Sequence, residues 1–73
     1  MVLVREILWK DRSREDLLLQ AIRDLCSRMR SVDCRFEEET DGDLLDAYIY
    51  ERLALQAHYR YLMRQLRARE EAR

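Results

Sequence analysis

The chain has 73 residues, two cysteines, one glycine, no proline and a formal net charge of −1, with 48% hydrophobic and 40% charged residues. So short a chain holds one domain at most, and it buries only about 60% of the surface its unfolded state exposes, which leaves its core marginal unless a disulfide, a metal or association adds to it. A near-neutral charge speaks against a general polyanion binder. The lack of any run of about 18 apolar residues excludes a membrane-spanning helix, and the scarcity of helix breakers predicts an all-α chain.

Residues 1–10 include Val2, Leu3, Val4, Ile7, Leu8 and Trp9. They are too apolar for a solvated tail and too short for a signal peptide, so they are expected to dock, either as a short separate segment or fused to the helix that follows. Arg5, Glu6 and Lys10 leave no clean basic face for a membrane surface. Ser13 followed by Asp16 is a variant of the capping box, which places a helix boundary or kink near Ser13, with a helix continuous from about residue 3 as the alternative.

The first long helix is expected over about residues 13–38. Its apolar positions Leu18, Ile22, Leu25, Met29, Val32 and Phe36 alternate in steps of four and three, the seam of an antiparallel helix pair or short coiled coil. Leu19 and Cys26 widen that seam on one side. Cys26 and Cys34 lie eight residues apart on this helix, about 12 Å at 1.5 Å per residue, and cannot bridge each other. Two free thiols without a signal-peptide pattern point to a reducing cytosol. A reactive thiol wants a nearby cation and partial exposure; Arg30 and Arg35 offer Cys34 only a weak version of that, and Cys26 reads as a small core residue.

After Glu37-Glu38-Glu39, the segment Thr40-Asp41-Gly42-Asp43 supplies a turn and a fresh N-cap. Asp41, Asp43 and Asp46 suit the positive end of a new helix, whereas the three glutamates suit the end of the old one poorly. These acids could offer oxygen ligands to Ca²⁺ or Mg²⁺, but their spacing is not that of an EF-hand loop. A solvated acidic turn is the simpler reading, and no metal or other cofactor is expected.

The second helix is expected over about residues 42–69. Leu45, Tyr48, Ile49, Leu55, Tyr59, Leu62, Met63 and Leu66 share one face, interrupted by Arg52 and Gln56, and that face should meet the first helix. The short connection makes the helices antiparallel neighbours. Opposite lie Ala47, Tyr50, Ala54, Ala57, Tyr61 and Ala68. Alanines allow close approach and tyrosines bring large area with a polar tip, so Tyr50, Ala54, Ala57 and Tyr61 form a candidate interface. The plainer alternative is that alanine is simply a good helix former on a solvated face.

His58 is the only histidine. Beside Tyr59 and Tyr61 it could suggest acid–base work, but no polar group at helical spacing orients its ring, so it reads as a flank or interface residue and no catalytic residue is assigned. Residues 33–46 carry seven acids and one base, and residues 52–73 carry six arginines and two acids, so the molecule should be a dipole. Arg60, Arg64, Arg67 and Arg69, alternating with Tyr59 and Tyr61, could contact nucleic acid through phosphates and stacked bases. Positive charge near a helix C-terminus also favours the helix itself.

Tyr50-Glu51, Ala57, Tyr59, Leu62-Met63 and Arg64, preceded by Asp41-Gly42-Asp43-Leu44-Leu45, resemble the C-terminal helix of the YaaL-like family of small bacterial proteins of unknown function. In that family a Tyr-Glu pair is followed about nine residues later by another Tyr and then by Leu and Arg. The chain departs from the pattern in having Gly42 where proline is common and an apolar rather than basic start. The resemblance implies a short, charged, helical cytosolic protein and brings no catalytic residue with it.

These readings converge on a single helical-hairpin domain, residues 1–73, that dimerises into a bundle or binds a protein partner. Its expected role is that of a non-enzymatic interaction or adaptor module of the bacterial cytoplasm. The alternative is a nucleic-acid-associated accessory protein using the arginine-rich end of the second helix.

Overall fold

The computed structural model describes the backbone of residues 2–72 and the side chains of residues 13–72. Two helices, α1 (Val2–Glu38) and α2 (Gly42–Glu71), lie against each other as an antiparallel hairpin. The N-terminal segment is fused: α1 runs unbroken through Ser13, so no helix boundary forms there. The physical reason is that a capping side chain starts a helix only where the preceding backbone leaves helical geometry, and no proline or glycine before Gly42 makes it do so.

The connection is short and internally bonded. The Glu39 carboxylate accepts from the backbone N–H of Thr40 and of Asp41, at 3.1 Å each, which gives one of the three glutamates a defined place at the end of α1. Asp41 then caps α2. Its backbone is extended, and its Oδ1 accepts from the N–H of Asp43 at 3.0 Å and of Leu44 at 3.1 Å. Of residues 40–43, which the sequence marks as a turn with a fresh N-cap, Asp41 is the residue that caps.

The seam between the helices carries the little core there is. Leu25, Val32 and Leu62 are the buried hydrophobics among the described residues. Leu18, Ile22 and Met29 on α1, and Leu45, Tyr48, Leu55, Tyr59 and Leu66 on α2, are half-buried. The molecule is a rod of 61 × 17 × 13 Å with a radius of gyration of 17.2 Å, against about 11 Å for a compact domain of this length.

Candidate functional site: the uncovered flanks of the hairpin

In an antiparallel pair, the residues that immediately follow buried seam positions fall on the same side of both helices, and those that precede them fall on the other. On the first flank, Val32, Asp33 and Phe36 of α1 and Tyr48, Ile49, Arg52 and Leu53 of α2 line one groove of about 220 Å³. Phe36, Ile49 and Leu53 remain 42%, 44% and 55% exposed. Register carries this flank on toward the open end of the hairpin through Cys26, Met63 and Leu19, with the exposed Arg23, Arg30, Arg60 and Arg67 at the intervening positions. Cys26 and Met63 are half-buried and Leu19 is exposed.

The second flank carries an ion pair near the turn. Arg35 pairs with Glu51 at 3.6 Å and places its guanidinium 5.4 Å from the centre of the Tyr48 ring. Farther along, Arg14, Leu17 and Leu18 of α1 and Tyr61, Gln65 and Arg69 of α2 line a shallow depression. Tyr61 therefore stands beside α1 at the hairpin rim. Its ring centroid lies 6.4 Å from that of His58.

The four candidate interface residues are all exposed, Tyr50 at 71% and Tyr61 at 48%. None of the four lines the apolar groove, although Tyr50 and Ala57 stand three and four residues from Leu53, which does. Of the candidate nucleic-acid contacts, Arg60, Arg64 and Arg67 are exposed, at spacings of four and three that put them on one outer side of α2, whereas Arg69 is turned toward α1 and half-buried. At most three of the four can meet one ligand surface.

Arg52, which interrupts the apolar face of α2, has partners across the seam. Its Nε donates to Asp33 Oδ1 at 2.9 Å and its Nη1 to Met29 Sδ at 2.6 Å. The spacing of Arg52 within the seam placed it there; the partners depend on α1 register, which composition does not reveal. Cys26 and Cys34 are free thiols. Among the described residues, no three His, Cys, Asp or Glu side chains converge on a point that could hold a metal ion, and no helix is long and apolar enough to cross a membrane.

No protein-family model, curated protein or solved structure matches this chain.

Proposed function

We propose that this chain is a non-enzymatic protein–protein interaction or adaptor module of the cytoplasm, a half-bundle whose apolar flanks are completed by a partner. The observation that carries this reading is area. The chain exposes 6351 Å², whereas a compact monomer of 9.0 kDa exposes about 4,900 Å². The surplus of about 1,500 Å² exceeds the roughly 800 Å² that one partner contributes to a standard interface. Part of it is apolar, at Leu17, Phe36, Ile49, Leu53 and Tyr61. Its likeness to the YaaL-like pattern fits a small helical protein of this kind and adds no activity.

The arginines on the outer side of α2 support the second reading, a nucleic-acid accessory protein. Co-expression of two differently tagged copies, with capture of one before and after nuclease and at rising salt, separates the two. Protein retained through nuclease treatment and high salt is the expected outcome. Retention abolished by nuclease or steeply lost with salt would favour nucleic acid, because phosphate contacts weaken steeply as salt rises. Retention of no protein, neither a second copy nor another chain, would overturn the interaction reading.

A further inference from the structure

Resting on the interaction reading above, we infer that the partner is a second copy of this chain, docked head to tail through the flank that carries Phe36, Ile49 and Leu53. That flank continues the seam on both helices at once, which is how a bundle helix differs from one that serves a two-helix seam alone: its apolar stripe is wider on one side. Leu19 and Cys26 widen it on α1, whose last seam residue Phe36 is left 42% exposed in the groove, and Ile49, Leu53 and Met63 widen it on α2. The opposite flank offers a shallow depression that sets Arg14, Gln65 and Arg69 beside Leu17, Leu18 and Tyr61. The two charged residues in the groove of the first flank, Asp33 and Arg52, already pair with each other, so covering that groove strips water from charge that has its partner in place.

A second copy supplies the same flank. A two-fold interface is self-complementary by construction, so that each contact between one end of the flank and the other end of the partner's flank occurs twice, and the surplus surface of each chain is ample for it. Charge then sets the direction. The turn end of the hairpin holds the seven acids of residues 33–46, and the open end holds the arginines of residues 60–73. Side-by-side copies in the same direction would bring acid against acid and arginine against arginine. Reversed copies lay each acidic turn beside the partner's basic open end.

The uneven helix lengths fit the same arrangement. Arg14 shares a surface depression with Arg69, so Glu71 at the end of α2 stands opposite about residue 12. α1 therefore runs about ten residues, or about 15 Å, past the end of α2. In a centred head-to-tail pair, that overhang passes along the partner's turn end, where the groove of Phe36, Ile49 and Leu53 lies. The sequence of the overhang is the apolar run of residues 2–9.

Sedimentation equilibrium on the full chain, with the variant Ile49→Glu/Leu53→Glu, tests the face. Both side chains are about half exposed, so helicity should survive while self-association weakens by roughly 100-fold or more, as for putting two charges in place of apolar anchors buried at an interface. Tyr50→Ala/Tyr61→Ala should remain dimeric. A monomeric parent at micromolar concentration, or a glutamate variant that dimerises as the parent does, overturns the inference. A monomeric parent that still captures another protein overturns it while leaving the interaction reading intact.

Zero-length carbodiimide cross-linking of the unsubstituted chain tests the direction without any variant. Lys10 is the only lysine, and within one hairpin it lies about 45 Å of helix from the turn. A link from Lys10 to a carboxylate of residues 37–46 can therefore arise only between chains. Such links in the dimeric fraction are the expected result; links from Lys10 solely to Asp11, Glu15, Asp16, Glu70 or Glu71 would overturn the head-to-tail arrangement.

Discussion

Arg52 of α2 reaches across the hairpin to Asp33 of α1, Nε to Oδ1 at 2.9 Å, from a position where the seam on either side carries Tyr48 and Leu55. The two side chains are 33% and 52% exposed, so the ion pair itself contributes at most about 1 kcal/mol. Its larger effect is on register, since a charged residue inside an apolar seam fits only where a partner meets it.

Arg52→Leu is accordingly expected to leave the melting temperature of the hairpin within a few degrees of the parent or to raise it. Arg52→Asp should lower it by about 5 °C, the shift expected for roughly 1 kcal/mol in a domain of this size. Exchanging the charges, Asp33→Arg with Arg52→Asp, should recover part of that loss. Thermal unfolding followed by circular dichroism, read as a double-mutant cycle, measures the coupling.

The two residues at the start of α2 should respond with opposite signs. Asp41→Ala removes the acceptor for the N–H groups of Asp43 and Leu44 and should destabilise by about 1 kcal/mol. Gly42 has no positive φ, and a Cβ added there would meet nothing within 4 Å. Gly42→Ala should therefore stabilise by about 0.5–1 kcal/mol, through restriction of the unfolded chain and better helix propensity. Chemical denaturation of the two variants at fixed protein concentration checks both signs.

The seam and the rim should also separate. Leu25, 3% exposed, is expected to destabilise by about 2–5 kcal/mol when cut to alanine, and Leu25→Asp should leave little folded helix. Tyr59→Ala, from a half-buried seam position, should cost about 2 kcal/mol, below the fully buried aromatic range. Tyr61→Ala, 48% exposed, should change helix stability by no more than about 0.5 kcal/mol.

How much of this could be read from the residues follows from what each kind of signal depends on. The alternating seam of α1 from Leu18 to Val32, a cap within residues 40–43 and the antiparallel return are local or periodic, and they stand in the fold. Phe36 and Ile49, expected in the seam, are instead 42% and 44% exposed because they lie at its edge near the turn. The boundary expected at Ser13 was a competing local signal that loses to uninterrupted helix. The groove beside Phe36 required knowing that residues following the seam in both helices, Asp33 on α1 and Ile49 and Leu53 on α2, meet on one side. That depends on register between segments far apart in the chain. For the same reason Tyr61, placed opposite the core by its wheel angle, stands beside Leu17 and Leu18 once the hairpin closes.

Neither thiol should serve as a covalent link. Cys26→Ala/Cys34→Ala should leave oligomeric state unchanged under reducing and oxidising conditions, with a small loss at half-buried Cys26. Dissociation of the double variant where the oxidised parent stays associated would reveal a disulfide between chains.

The claim that this hairpin is one half of a self-completing bundle is tested most directly by its melting temperature as a function of its own concentration. If two chains fold as one unit, a hundredfold rise in concentration stabilises the assembly by about 2.7 kcal/mol and should raise the midpoint by about 5–10 °C. A midpoint that stays fixed across that range, with full helicity at its lower end, would show a self-sufficient monomer and contradict the account.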